Sequence, residues 1–194
     1  MSITREQAEI AATEWCGDND SIVKQWLISA ILDPRQHRDI GKFLAPMAEI
    51  AVRDWLVGQT GLEMKCVSGE SYDIIETMHG TRIQVKFRMG DWHLETTRRN
   101  SVANQDTNAT GHVAYRADEF DLLVVFVPGP NFGLTGSRKC LVPAYELLSS
   151  TRRGQLVTRV PVAVRRRYDD GEMTRRVIRR SFPQTPSSPL SLCL

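Results

Sequence analysis

Cysteine is scarce and scattered in this chain: Cys16, Cys66, Cys140 and Cys193 stand far apart and form no C-x-x-C pair. That spacing excludes a zinc ribbon and offers no disulfide frame, so the thiols are read as reduced. His93 has no second His or Cys at ligand spacing, which argues against zinc there as well. No apolar run approaches the roughly 20 residues that a membrane-spanning helix needs. The opening, Met1-Ser2-Ile3-Thr4-Arg5-Glu6, lacks a signal-peptide apolar core, so a cytoplasmic protein without membrane partners is expected. No internal repeat is found.

What is present suits one folded unit. The 194 residues are 41% hydrophobic and 25% charged, which provides for a full core at this length. Residues 1–182 are expected to form a single domain, with a helical part over 1–38, a core over 39–150 and an arginine-rich segment over 151–182. Residues 183–194 hold three prolines and three serines and are expected to be a flexible tail. The net charge of +2 hides an asymmetry. From Arg152 to Arg180 there are ten arginines and three acids, so this segment carries +7 and the remainder −5. Every basic residue there is arginine, whose planar fork suits phosphate and guanine. The segment is either a nucleic-acid contact or a solvated, arginine-rich sheet edge.

Thr4-Arg5-Glu6-Gln7 reads as a capping box that opens a helix through Trp15. Asp20 can cap a second helix, Ser21 to Leu32, stopped by Asp33-Pro34. A third is expected from about Asp39 to Val57, with Pro46 moving its true start to about Ala45. Strands are expected at Leu62 to Val67, Tyr72 to Glu76, Arg82 to Arg88 and Trp92 to Thr96. Residues 100–111 are polar and read as a loop near the substrate or a mobile lid. Phe120 to Val127 is the most apolar run and suits a buried central strand. Lys139 to Pro143 is a short strand, followed by a helical turn. Gln155 to Val164 and Met173 to Phe182 are expected to pair as a C-terminal β-hairpin across Asp169-Asp170-Gly171.

The chemistry concentrates around Asp73, eleven positions before Gln84. In a strand of period two, Ile83, Val85 and Phe87 share a core face, and Gln84, Lys86 and Arg88 share the other. With Met78 to Thr81 as the turn, the hairpin brings Asp73 beside Gln84 and Lys86. A carboxylate, a second oxygen donor and a lysine there can bind a hard divalent cation and hold a water near a phosphate. The bland alternatives are an Asp bonded to a turn and a solvated lysine.

The pattern Asp73, spacer, Gln84-x-Lys86 resembles the PD-(D/E)XK nuclease superfamily, which includes many type II restriction endonucleases. Tyr72 stands where that pattern has proline, and Gln84 where it has an acid. The helix bearing Glu49 before the hairpin and the apolar strand after it follow the superfamily's order. The resemblance covers roughly Phe43 to Leu148. It implies an α/β, restriction-endonuclease-like central mixed β-sheet flanked by helices, here with a helical N-terminus. It also implies Mg²⁺-dependent hydrolysis of double-stranded DNA. Asp73, Gln84, the Val85 backbone carbonyl and Glu49 would hold the metal, and Lys86 would position the water. Gln84 brings no negative charge, so the metal would lean on Asp73, Val85 and Glu49. The alternative for Glu49 is a surface pair with Arg53.

A homodimer is the default for an enzyme that cuts both strands. Candidate DNA contacts are Arg88, Arg98, Arg99, Asn100, Arg116 with its neighbour Tyr115, Arg165, Arg167, Arg176 and Arg180; for each the alternative is a solvated polar side chain. His93 and Glu95 share a face that approaches the phosphate or faces solvent. A homing, nicking or junction-resolving nuclease of the same fold, or a catalytically silent DNA-binding module, remains open.

Overall fold

The computed structural model describes residues 3–18, 21–89, 92–94, 96–97, 112–169 and 171–182. Thr4 opens helix α1 (Arg5–Cys16) with the reciprocal bonds of a capping box: Gln7 N donates to Thr4 Oγ1, and Thr4 N donates to Gln7 Oε1 at 2.9 Å. Ser21 caps α2 (Ile22–Leu32) by accepting from Lys24 N; Asp20 lies outside the described residues. Asp33-Pro34 ends α2 as expected and starts a short 3-10 turn.

Helix α3 runs unbroken from His37 to Thr60, so Pro46 lies inside it and does not mark its start. The reason is the apolar stripe. Ile40, Leu44, Ala48, Val52 and Leu56, one every four residues, are all fully buried, and their burial holds both halves on one axis. Pro46 is exposed, where the carbonyl deprived of its helical N–H partner meets water.

The sheet is mixed and five-stranded, in the order β1-β2-β3-β6-β7. Strands β1 (Met64–Cys66), β2 (Ile74–Glu76) and β3 (Arg82–Phe87) form an antiparallel meander. The excursion after β3 contains a separate two-stranded pair, β4 (Thr96–Thr97) with β5 (His112–Val113). Residues 100–111, expected as a loop, lie outside the described residues. The chain returns as β6 (Leu122–Val127), parallel to β3, and β7 (Arg138–Pro143) closes the edge antiparallel to β6. Residues Leu122 to Phe126 are all buried, as the apolar run required. Arg82 ties the starts of β3 and β6 together: its backbone N and guanidinium all bond the Asp121 carboxylate. Helix α3 packs on β1, β3 and β6, with α2 and then α1 beyond it. The architecture is therefore α/β, a mixed sheet with helices. Among the described residues no helix is long and apolar enough to cross a membrane.

The C-terminal hairpin is not formed. Residues 155–160 make only isolated bridges, and the chain then folds into two helices, α4 (Val162–Tyr168) and α5 (Gly171–Ser181), which pack on β7. Asp169 ends α4 and Gly171 opens α5, while Asp170 lies outside the described residues. Met173, Val177, Ile178 and Phe182 recur at helical spacing, and the doublets Arg175-Arg176 and Arg179-Arg180 break any period of two. Thr174, Val177 and Ile178 are buried. Arg175, Arg176, Arg179 and Arg180 are all exposed and form one outward face, where strand alternation would have split them between two.

The loop between β6 and β7 is clamped to α1. Trp15 Nε1 donates to Phe132 O at 2.7 Å, and Glu14 Oε2 accepts from Leu134 N at 2.6 Å and Thr135 N at 3.1 Å. Asn131 and Phe132 both take positive φ. The loop closes so tightly that a Cβ at Gly129 would overlap the Thr135 carbonyl. Gly129→Ala should therefore cost about 1–3 kcal/mol or more. Exposed Gly58 in α3 faces open space, so Gly58→Ala should stabilise by about 0.5–1 kcal/mol. Urea denaturation of both variants checks this; equal effects would contradict the description of the loop.

Candidate active site

The β2–β3 register pairs Ile74 with Ile83, so one step further sets Asp73 opposite Gln84. Asp73 stands half-buried at the mouth of β2, its backbone N–H donated to Ile83 O at 3.0 Å. Its Oδ2 accepts from Val85 N at 2.7 Å and from the Gln84 side-chain amide. Gln84 Nε2 also donates to Val85 O at 3.0 Å. A single NH₂ group thus spans the Asp73 carboxylate and the Val85 carbonyl.

Ile83, Val85 and Phe87 are buried as the alternation required, but Gln84 is only 3% exposed on what was expected to be a polar face. Tyr115 covers it. Itself buried and edge-on to Phe120 at 5.2 Å, Tyr115 donates its hydroxyl to Gln84 Oε1 at 3.0 Å and accepts from Lys86 Nζ at 2.7 Å. The Lys86 ammonium also stands 5.1 Å from the ring centroid, within cation–π range.

Glu49 completes the cluster from α3. The surface pair with Arg53 is not made, because Arg53 bonds Asp54 at 2.7 Å. Half-buried Glu49 lies close enough on α3 to feel the Asp73 and Lys86 charges. Burial and the Asp73 charge push its pKa up to about 7, against the pull of Lys86. Burial also raises the Asp73 pKa, outweighing the Val85 N–H bond, the Lys86 charge and the Gln84 amide. Two carboxyl groups thus share a partly dry site with one ammonium.

Among the described residues no three His, Cys, Asp or Glu side chains gather. A cation here would be held by two carboxylates, the Val85 carbonyl and the Gln84 amide. All are hard oxygen donors of the kind Mg²⁺ takes. The residues fit such an ion once the Gln84 amide turns its oxygen inward: two acceptors, Asp73 Oδ2 and Val85 O, converge on the place that its NH₂ occupies.

Glu76 was not singled out by the sequence, yet it is fully buried. Burial alone would raise its pKa, but bonds from Met78 N, His79 N and the His79 ring hold it low. It fixes the β2–β3 turn and with it the Asp73 register.

The expected DNA contacts separate into groups. Arg88 is spent on backbone, its guanidinium donating to His93 O and Phe87 O, and burial lowers its pKa. Arg116 bonds Asp118, Arg167 bonds Glu146, and Arg176 bonds Glu172. Arg165 lies 6.0 Å from the Trp92 ring centroid. Arg180 is exposed on α5. His93 is exposed; Glu95, Arg98, Arg99 and Asn100 lie outside the described residues.

The chain matches no protein-family model, and no curated protein is significantly similar to it.

The raised Glu49 carboxyl has a consequence for stability. The folded protein keeps a proton that the unfolded chain releases near the ordinary glutamate value of about 4.3. Stability should therefore fall as pH rises from there through about 7 in the absence of divalent cations. Glu49→Gln should flatten that fall, leaving the smaller contribution of Asp73. Melting temperatures from pH 4.5 to 8 in EDTA decide it: an unchanged slope would mean that burial and the Asp73 charge do not hold the Glu49 proton.

Proposed function

We propose that this protein is a Mg²⁺-dependent endonuclease that hydrolyses phosphodiester bonds of double-stranded DNA, with type II restriction as the first reading. The observation that carries it is the cluster of Asp73, Gln84, Val85 O and Lys86 about the middle of β3, with Glu49 near it on α3. The order of helix, antiparallel meander and parallel strand supports a restriction-endonuclease-like fold. A cytoplasmic homodimer that cuts both strands is part of the proposal.

In the proposed reaction a water oxygen bonds to phosphorus, the bond to one bridging ester oxygen breaks, and that oxygen leaves with a proton. Asp73, Glu49, the Val85 carbonyl and the Gln84 amide would hold Mg²⁺, which when bound supplies positive charge to the phosphate and lowers the pKa of a bound water. Lys86 is placed to orient the water or take its proton, and as the ammonium it offsets charge gathering on the phosphoryl oxygens. The outward arginines of α5, together with Arg165 and Arg167, would meet the DNA backbone. One observation favours the silent DNA-binding module as a second reading. The neutral Gln84 turns N–H groups toward Asp73, where the superfamily pattern has a carboxylate.

Asp73→Ala and Lys86→Ala should each abolish Mg²⁺-dependent cleavage of a plasmid while leaving DNA binding in Ca²⁺ intact. Discrete fragments mark restriction, open circles mark nicking, and a gel shift without cleavage by the parent protein marks the silent module. Near-normal cutting by Lys86→Ala would overturn the site assignment.

The single arginine face of α5 makes a second prediction. Replacing Arg175 and Arg179 by Gln, or Arg176 and Arg180, should weaken DNA binding comparably. Each pair should lower the slope of log K against log salt by about 1.8 if both residues contact phosphate. Binding titrations across salt check it. No change from either pair would place the DNA elsewhere.

A further inference from the structure

We propose that Tyr115 is a positioning residue that decides whether Gln84 offers its oxygen or its nitrogen to the cation site; this rests on the nuclease reading above. A phenol has one proton to give, and a lysine ammonium only donates. Tyr115 accepts from Lys86 Nζ at 2.7 Å, so its proton is free for Gln84, and the amide atom 3.0 Å away that receives it is Oε1. The NH₂ is thereby turned toward Asp73 and Val85 O, which can only accept. Four groups form a one-way chain, Lys86 to Tyr115 to Gln84 to Asp73, in which each bond sets the direction of the next.

In this arrangement a cation approaching Asp73 and Val85 O meets N–H groups. Ligation by Gln84 requires the amide to turn over. Its NH₂ would then face Tyr115, whose oxygen would accept from both Lys86 and Gln84, and the phenol proton would lose its acceptor. Turning therefore keeps one Tyr115–Gln84 bond but strands the phenol proton, a buried donor left without an acceptor. A carboxylate at position 84 would carry no such choice, since both of its atoms accept. Tyr115 thus raises the threshold for cation entry, and it links that threshold to Lys86, the group placed to handle the water. The position of Tyr115, buried on Phe120 and anchored by Leu156 N donating to its backbone carbonyl, is rigid enough for this role.

The test is a Mn²⁺ titration of the full chain without DNA, followed by the paramagnetic resonance of free Mn²⁺, on four proteins: the parent, Tyr115→Phe, Gln84→Glu and the double variant. Tyr115→Phe keeps the ring on Phe120, and melting in EDTA verifies its fold. It should bind Mn²⁺ at least about fivefold more tightly, because no phenol proton remains to be left unpaired when the amide turns. Damage to the packing would weaken binding instead. Gln84→Glu should also bind more tightly, and Tyr115→Phe should add nothing in that background because no amide remains to orient. A folded Tyr115→Phe that binds no more tightly than the parent, or an equal gain in both backgrounds, overturns the role of Tyr115 and leaves the cation site standing. If none of the four proteins binds Mn²⁺, the cation reading and this proposal fall together.

Discussion

One carboxylate oxygen, Asp73 Oδ2, accepts from the Val85 backbone and from the Gln84 side chain at once. Both donors lie on β3, the strand that joins the antiparallel meander to the parallel β6. The contact fixes the end of the β2–β3 register and draws Gln84 inward against Val85 O. An unpaired carboxylate in a half-dry site would be costly. The protein compensates with donors supplied by its own backbone and amide and with Lys86 close by. The same bonds that satisfy Asp73 in the folded chain gather the oxygens that a divalent cation would use.

The polar cluster is built around Gln84 and Lys86 of β3. Below it, β3 and β6 pair along Ile83 to Phe87 and Leu122 to Phe126, a buried platform that lets few side chains move. From one side α3 delivers Glu49; from the other, Tyr115 closes over Gln84 and Lys86. Supports far from the cluster matter for the same reason. Glu76 pins the turn, Arg82 locks β3 to β6 through Asp121, and Trp15 and Glu14 hold the tight loop after β6.

Much of this was legible in the sequence, and the rest was hidden for identifiable reasons. The period of two over Arg82 to Arg88 and the length of the hairpin were enough to bring Asp73 and Gln84 together. Helix α1 was announced by its capping box, and β6 by its apolar run. Glu49 could be named only through a resemblance, because a helix acid four residues from an arginine looks like a surface pair. Tyr115 is 29 residues from Lys86, across an excursion whose path no local pattern reveals, so its bond to that lysine could not be read. The C-terminal segment was misread because Asp-Asp-Gly breaks helices as readily as it turns hairpins. The doublets of arginine, absent from any true alternation, were the overlooked signal.

In the proposed site, oxygens from Asp73, Glu49 and Val85 would converge on a divalent cation beside the middle of β3. Diffraction at the manganese absorption edge, from crystals grown with Mn²⁺, tests it most directly. The expected result is an anomalous peak within coordination distance of the Asp73 carboxylate and the Val85 carbonyl, with the Gln84 oxygen turned toward it. A peak elsewhere, or none while Gln84 keeps its NH₂ on Asp73 at saturating Mn²⁺, would contradict it.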